Sequence, residues 1–292
     1  MRDPCVALLS DFGCRDAYVG VMKAVMARVA PAARLIDLTH EIAPGDIRQA
    51  AFRLWQALPY LPRGTVVLAV VDPGVGTTRR PVAIQCRGFS CVGPDNGVFT
   101  YLLEGRSEAR AVEIKERSWR ESRAAVASRH RASFPPSSTF HGRDIFAPAA
   151  GLLASGTMIQ RLGPEATDLV TIPWPKLSYE PRGTWVRGEA LLADRFGNMV
   201  TSIGRLVPMA QGIRLEPWVP SAGQPLQISA DRLRVRLVDS NELTVVRTYG
   251  EVPEGEALAY IGSDGLLEVA VNRGSASDSL GLTAGGEILL LW

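Results

Sequence analysis

The sequence predicts an amino-terminal α/β domain with a largely parallel sheet and flanking helices, followed by a carboxyl-terminal antiparallel β-barrel domain. In the first half, short apolar β-branched runs alternate with helical patterns of about a dozen residues, which is typical of βαβ units. Prolines crowd residues 164–181, and short strands separated by turn signals follow them. We place the boundary near residue 170, which gives domains 1–170 and 171–292.

The α/β part begins directly with a strand and then alternates. Apolar residues recur at helical spacing within residues 17–30, at Val19, Met22, Val25, Met26 and Val29. Asp46 is suited to start the second helix. The predicted strands are residues 5–9, 34–38, 65–71 and 82–86, and the predicted helices are 17–30, 46–58, one beginning at 99–103, and 145–155.

The carboxyl-terminal part contains only short strand patterns. Turn residues interrupt them regularly, as expected of a small barrel or sandwich. The predicted strands are residues 183–193, 199–203, 212–215, 226–228, 232–238, 243–249, 257–261, 266–271 and 287–291.

Composition favours a soluble, cytoplasmic enzyme without nucleic-acid or membrane partners. The net charge of the 292 residues is only +2, and alternating charges within the basic segment 106–131 favour a solvated surface excursion over a nucleic-acid patch. Four cysteines without a CxxC pair predict neither a zinc site nor a disulfide framework. The start of the chain lacks a signal-peptide pattern, and no apolar run approaches the roughly 20 residues that span a bilayer.

A glycine-rich loop after the predicted strand 65–71 is the most informative local feature. Asp72 and Arg79 lie at its two ends, seven residues apart, with Gly74 and Gly76 between them. Open α/β sheets bind their ligands at the carboxyl ends of strands, and glycines let the backbone approach a ligand closely. The two side chains can face each other and hold a water or a polar group, although an ion pair that only staples the loop would have the same sequence.

Further polar and glycine-rich clusters follow other elements. They are SDFGCRDAYVG at 10–20, GPDNGVFT at 93–100, STFHGRDIFAPAA at 138–150 and ADRFGNMVTSI at 193–203. With the VDPGVGT-x-R loop, in this order, they resemble the adenosine-forming S-adenosylmethionine hydrolases, whose relatives are the fluorinase and chlorinase enzymes. The resemblance covers about residues 8–276, nearly the whole chain.

The resemblance implies a water-activating set of three residues, Asp72, Arg79 and His141. A carboxylate can accept a proton from water or hold it, a guanidinium offers fixed donors, and an imidazole can share the water or relay the proton. The halogenase branch instead carries an aromatic residue where Asp72 stands and a Tyr-Ser pair where His141 and Gly142 stand. The expected reaction is water attack at the ribose 5′ carbon, giving adenosine and methionine without metal or cofactor.

Ribose and adenine contacts are also implied. Asp11 is expected to accept hydrogen bonds from both ribose hydroxyls, and Asp16 either meets the ribose or caps the following helix. Asn198 is assigned to the adenine edge, Tyr249 can stack on adenine, and the segment of Arg273 touches adenine in relatives.

The methionine end of the substrate is assigned to two residues. Asp194 suits the ammonium group, and Ser263 with nearby backbone can bind the carboxylate. The chain departs from the family pattern at Gly262, where Asn usually precedes the serine. The Asp95-Asn96 pair reads as a structural turn that shapes the pocket wall.

Three functions remain open from the sequence. The hydrolase is favoured; a sensor that binds S-adenosylmethionine or adenosine without turnover, and a halide-using enzyme, are the alternatives. The resemblance also implies a homotrimer with the site between the amino-terminal domain of one subunit and the carboxyl-terminal domain of its neighbour.

Overall fold

The computed structural model describes residues 4–115, 136–229, 233–237 and 242–292. Most of the basic segment predicted as a surface excursion, from residue 116 onward, lies outside these ranges. The chain divides into two compact units, Met1–Ile172 and Pro173–Trp292. The fold class predicted from the sequence is confirmed, with an α/β unit followed by a closed and mostly antiparallel barrel.

The first unit is built on a mixed sheet. Within its described residues the strands are β1 (Cys5–Ser10), β2 (Arg34–Thr39), β3 (Thr65–Val70), β4 (Pro81–Cys86), β5 (Phe89–Pro94) and β6 (Arg110–Glu113), in the order β2-β1-β3-β5-β4-β6. The pairs β2–β1, β1–β3 and β3–β5 are parallel, whereas β4 runs antiparallel to β5 and β6. Every residue of β1 and β3 is buried, as expected of central strands covered on both faces.

Helices flank this sheet. They are α1 (Tyr18–Val29), α2 (Ile47–Ala57), the single turn α3 (Thr100–Leu103) and α4 (Ala147–Ala154). Asp46 caps α2 as predicted, because its carboxylate accepts from the backbone N–H of Gln49 at 2.8 Å. Asp16 does not cap α1: the helix begins at Tyr18 with Ala17 as its N-cap and no capping side chain, so that alternative for Asp16 is wrong.

A π-helical turn, Gly142–Phe146, leads into α4. It occupies the start of the predicted helix 145–155 and places His141 at its N-cap. Single π turns are rare and are frequently found at functional sites.

The second unit is a closed barrel. Its described strands are β7 (Leu177–Tyr179), β8 (Trp185–Ala193), β9 (Met199–Thr201), β10 (Leu206–Pro208), β11 (Ile213–Leu215), β12 (Leu226–Ile228), β13 (Arg234–Leu237), β14 (Glu242–Val246), β15 (Ala257–Ile261), β16 (Leu267–Val271) and β17 (Glu287–Leu291), with one helical turn, α5 (Ala276–Ser279). The described strands β8-β17-β13-β14-β15-β16-β9 form a ring that the β8–β17 and β8–β9 pairings close.

Strands outside this ring complete the unit. The β7 strand pairs with the first half of β8, and β10, β11 and β12 form a separate antiparallel sheet. Only the β14–β15 pair of the ring is parallel among its described strands. The strand predicted to reach Tyr249 ends at Val246, because Thr248 and Glu251 form a capping box that starts a 3₁₀ turn there.

Candidate active site

A cleft of about 470 Å³ opens at the carboxyl ends of β1 and β3. Its walls come from the segments that follow these strands and from the residues before α4. They are Asp11, Phe12, Pro44, Gly45, Val70, Asp72, Pro73, Val75, Thr139, Phe140, His141 and Gly142. The cleft therefore lies where parallel strands end, as the general rule for open α/β sheets predicts.

Asp72 and Arg79 form a bidentate ion pair across the glycine-rich loop. Arg79 Nε donates to Asp72 Oδ1 at 2.9 Å and to Oδ2 at 3.0 Å, and Arg79 Nη2 also donates to Oδ2. The Arg79 side chain is 10% exposed and the Asp72 side chain 5%. A buried ion pair is stable only when its hydrogen bonds are well aligned, as in this bidentate contact, so the pair is a rigid unit.

His141 joins this pair through the same guanidinium. Arg79 Nη2 lies 2.8 Å from His141 Nδ1, and a guanidinium can only donate. Nδ1 must therefore accept, which places the proton of the neutral ring on Nε2. Burial and the nearby Arg79 charge lower the pKa of His141 below its usual 6.5, so the ring is neutral at pH 7.

Arg79 lies behind the cleft. Its guanidinium stacks on the ring of Phe146, 5.0 Å from the ring centroid. Its Nη1 is buried and has no hydrogen-bond partner in the described part of the chain. Asp72 and His141 line the cleft, whereas Arg79 holds both of them from within the protein.

Close packing holds the loop against the segment that carries His141. Gly76 has φ +77°, and a Cβ there would collide with the carbonyl oxygen of Ser138. Gly142 is also confined, because a Cβ would meet Met22 Sδ at 3.0 Å. The loop can therefore approach Ser138 only because Gly76 carries no side chain, and the His141 segment can pack against Met22 of α1 only because Gly142 carries none.

Asp11 also lines the cleft and is held in place. Its Oδ2 accepts from the backbone N–H of Gly45 at 2.9 Å, and its side chain lines the cleft. Asp16 is exposed and does not line this cleft. The structure thus gathers Asp11, Asp72 and His141 around one cavity.

The second unit brings together three of the residues assigned to substrate binding. Asp194 Oδ2 accepts from Asn198 Nδ2 at 2.9 Å, and the same Nδ2 donates to the hydroxyl of Tyr249 at 3.0 Å. A cavity of about 530 Å³ lies over this group, lined by Phe196, Asn198, Tyr249, Val271, Arg273, Gly274 and Ser275.

Sequence reasoning missed the hydrogen bonds that continue from Tyr249. Its hydroxyl donates to Tyr260 at 2.7 Å, and Tyr260 donates in turn to Glu268. Burial and these partners raise the pKa of Tyr260. Gly262 makes room for this arrangement, because a Cβ there would lie 2.6 Å from Glu268 Cδ. The glycine that departs from the family pattern is thus coupled to the Glu268 carboxylate.

Ser263 lies outside the cavity that Asn198 and Arg273 line. Ser263 lines a different cavity, of about 790 Å³, beside β10 and β14 rather than with Asn198. Arg273 has φ +55° and pairs with Glu254 at 2.9 Å on the surface, with its side chain 75% exposed.

The packing of aromatic residues at and beside the cleft was also missed. Phe12, Tyr18 and Phe140 pack in mutual contact, with ring centroids 5.2–5.9 Å apart. Phe12 and Phe140 directly flank two of the predicted motif residues, Asp11 and His141, and this adjacency in the sequence could have predicted them.

Comparison with known families identifies the whole arrangement. The model of the SAM hydroxide adenosyltransferase N-terminal domain matches residues 6–163, and that of the C-terminal domain matches residues 188–289. The chain belongs to the SAM hydroxide adenosyltransferase family. The resemblance inferred from the motifs is therefore confirmed.

Individual proteins are also similar to this member of the SAM hydroxide adenosyltransferase family. An (R)-S-adenosyl-L-methionine hydrolase of Thermus thermophilus is 44% identical, over 98% of this chain and 99% of its own. A fluorinase of Actinopolyspora mzabensis is 25% identical, over 97% and 95%. The crystal structure of an uncharacterized conserved protein from Thermotoga maritima superimposes with a TM-score of 0.79 at 34% identity, covering 98% of this chain and 100% of that one.

The described residues offer neither a metal-binding cluster nor a membrane-spanning helix. Within the described ranges, no group of three or more His, Cys, Asp or Glu side chains is placed to hold a metal ion. None of the helices that the structure describes is long and apolar enough to cross a bilayer. The four cysteines are free thiols, of which Cys14 is exposed.

Proposed function

We propose that this protein hydrolyses S-adenosyl-L-methionine to adenosine and L-methionine by attack of water at the ribose 5′ carbon. The observation that carries the proposal is the contact of Arg79 with both Asp72 and His141 at the edge of the cleft. The Thermus thermophilus relative, 44% identical over nearly the full chain, is named as a hydrolase of the same substrate.

The hydrogen bonds of this group suggest different roles for its members. Because His141 Nδ1 accepts from Arg79, its Nε2–H is a donor and can bind the oxygen of a water molecule. Asp72 is then the proton acceptor, since a carboxylate facing the cleft can only accept. Arg79 fixes the orientation of both and stays behind them. Holding the water in line with the carbon–sulfur bond lowers the barrier, by roughly 7–11 kcal/mol in favourable cases.

The reaction balances without a cofactor. The water oxygen forms a bond to the 5′ carbon as the carbon–sulfur bond breaks, and the electron pair of that bond leaves on sulfur. The sulfonium becomes the neutral thioether of methionine, so the leaving group needs no acid. One water proton passes to Asp72 and from there to solvent.

Substrate contacts are proposed from the motif positions. Asp11, whose carboxylate accepts from the backbone N–H of Gly45, is proposed to accept hydrogen bonds from the ribose hydroxyls. Asp16 is proposed to meet the ribose from the loop that follows β1. In the second unit, Asn198 and Tyr249 are assigned to adenine and Asp194 to the methionine ammonium. Ser263 and Arg273 complete the proposed set, for the methionine carboxylate and the adenine side respectively.

A halide-using reaction is the less favoured alternative. A carboxylate at position 72 faces the cleft and would repel a halide ion there. Gly142 has no room for the serine of the halogenase pattern without displacement of Met22. A sensor without turnover remains the other alternative, although it has no need of a guanidinium that orients two groups toward water.

One experiment separates these functions. The purified protein and an Asp72→Ala variant are incubated with S-adenosylmethionine in oxygen-18 water containing chloride, and products are identified by mass spectrometry. Adenosine labelled at its 5′ oxygen, strongly reduced in the variant, supports hydrolysis. A 5′-chloro nucleoside would support the halide reaction, and binding without any product would support the sensor.

The remaining properties are proposals from composition and resemblance. They are the absence of a metal or redox cofactor, of nucleic-acid partners and of membrane association, a cytoplasmic location, and assembly as a homotrimer. Loss of activity on chelation would contradict the first of these. Light scattering coupled to size exclusion tests the trimer, and a fully active monomer would contradict it.

A further inference from the structure

One turn outside the cleft contacts both ends of the Asp72–Arg79 loop. The amino-terminal end is held through Val71, the residue directly before Asp72. Asn96 Nδ2 donates to the carbonyl of Val71 at 2.9 Å. The amide oxygen of Asn96 accepts from the backbone N–H of Val98 at 3.2 Å, so the amide is fixed in one orientation.

The other end is held through Arg80, the residue directly after Arg79. Asp95 Oδ2 accepts from Arg80 Nε at 2.9 Å and from Nη2 at 2.5 Å, and the backbone N–H of Asp95 donates to the carbonyl of Arg80 at 2.9 Å. Adjacent residues of one turn thus bind the residues that flank the loop on either side.

The turn itself is firmly anchored. The Asp95 side chain is 4% exposed, and its Oδ1 accepts from the backbone N–H of Val170 at 2.8 Å. Gly97 has φ +95°, and a Cβ there would lie 2.6 Å from Ile172 Cγ2. The turn also follows β5, which pairs with β3, so its position is set by the central sheet.

The interior of the loop transmits the position of its ends. Thr77 donates from both its N–H and its hydroxyl to the carbonyl of Gly74, at 3.2 and 2.6 Å, and Val75 N–H donates to the Asp72 carbonyl at 3.1 Å. A loop with these internal bonds moves as a body. Displacement at Val71 or Arg80 therefore displaces Asp72 and Arg79.

We propose that the Asp95-Asn96 turn is a positioning element that sets the place of the Asp72–Arg79 pair relative to His141. Neither Asp95 nor Asn96 lines the cleft, so they act only through the loop. The inference rests on the proposed hydrolytic function for its kinetic consequence, but its geometric claim is independent of turnover.

The test compares three variants in the full-length protein. Asn96→Ala removes the donor to Val71, and Asn96→Asp keeps the shape of the side chain but replaces the donor with an acceptor. Thr100→Val is the matched control: Thr100 lies one turn further on, is buried, and bonds to the Gly97 carbonyl at 2.7 Å and to the Ile172 N–H at 3.0 Å, without contact to the loop ends. All three lose hydrogen bonds that are buried or partly buried, so all three are expected to lower Tm.

Kinetics give the first readout. We expect both Asn96 variants to lower kcat by roughly 10- to 100-fold with KM changed less than about twofold, because a displacement near 1 Å of positioned groups is costly. Thr100→Val should keep kcat within about twofold of the unmodified protein. Equal kcat losses in all three, in proportion to Tm, would overturn the proposal, since that is what general destabilisation produces.

The titration of His141 gives a second readout that needs no activity. The chain has three histidines, and their imidazole signals can be assigned by NMR. Displacement of Arg79 should raise the His141 pKa toward its usual value in the Asn96 variants and leave it unchanged in Thr100→Val. If the unmodified protein proves inactive, the hydrolase proposal fails while this titration still decides the inference. An unchanged His141 titration in the Asn96 variants would overturn it.

Discussion

Substitution of Gly76 by alanine should inactivate the protein far more than it destabilises it. Gly76 has φ +77°, so any side chain there costs about 1–2 kcal/mol in backbone strain. The added Cβ would also lie against the Ser138 carbonyl oxygen, well inside the usual C···O contact of about 3.3–3.6 Å. The loop and the segment before His141 must therefore separate by roughly 1 Å, a displacement that can cost about 100-fold in rate.

Gly64 provides the matched control. It also has a positive φ, +91°, but a Cβ there meets no atom within 4 Å, and it lies at the opposite end of β3 from the cleft. Gly64→Ala should therefore have the backbone strain alone. Each kcal/mol lost corresponds to a Tm decrease of roughly 2–4 °C in a domain of this size.

The assay measures Tm by calorimetry and kcat by adenosine release for both variants. We expect Tm to fall at both positions, further in Gly76→Ala because of the added contact with Ser138, with kcat reduced by about 100-fold only in Gly76→Ala. A Gly76→Ala protein whose kcat stays within about twofold of Gly64→Ala would refute the reasoning, because the distance between loop and His141 segment would then not matter.

Three further outcomes follow from the site. The rate should be constant from pH 7 to 8.5 and fall only below pH 6.5, the usual pKa of histidine, because the lowered pKa of His141 keeps the ring neutral and protonation would place a second cation against Arg79. The stability contributed by the neutral ring is likewise present above pH 6.5 and is lost as pH falls through the lowered pKa. Profiles of kcat and of Tm against pH measure the two effects. Arg79→Lys should lower kcat by at least about 100-fold, because an ammonium cannot make the planar bidentate contact and the His141 contact together; steady-state kinetics with oxygen-18 product analysis check this. Gly262→Ala should displace the Glu268 carboxylate and raise KM several-fold with little change in kcat, and an unchanged KM would contradict the coupling.

The local part of the site could be predicted from sequence because it depends on short separations. Asp72 and Arg79 are seven residues apart on a turn whose glycines permit its path, and Asp46 caps its helix three residues from its partner. His141 is 62 residues from Arg79, so spacing alone could not place it. His141 was assigned to the water-activating set only through the order of several motifs, in a region that the family model matches.

Elements were missed where tertiary packing overrides local propensity. The β5 strand (Phe89–Pro94) contains Ser, Cys, Gly and Pro, a composition typical of a turn, yet it lies buried beside β3. Gly93 is needed there because a Cβ would lie 2.9 Å from Phe99 Cζ. The bond from Asn96 to Val71 could not be foreseen for the same reason, since it depends on the sheet order that brings β5 beside β3.

The hydrogen bonds of the second unit have a definite polarity. Asp194 and Glu268 are carboxylates at the two ends of a series that passes through Asn198, Tyr249 and Tyr260. Since an ionised carboxylate accepts and never donates, the donor and acceptor of each hydrogen bond between Asp194 and Glu268 are fixed. Both N–H groups of the Asn198 amide donate within this series. The Asn198 amide oxygen, to which no described residue donates, is thus the group left to bind a ligand, and it can only accept. A purine edge that offers an amino group satisfies it, whereas one that offers a carbonyl sets oxygen against oxygen, and competition between adenosine and inosine would measure that preference.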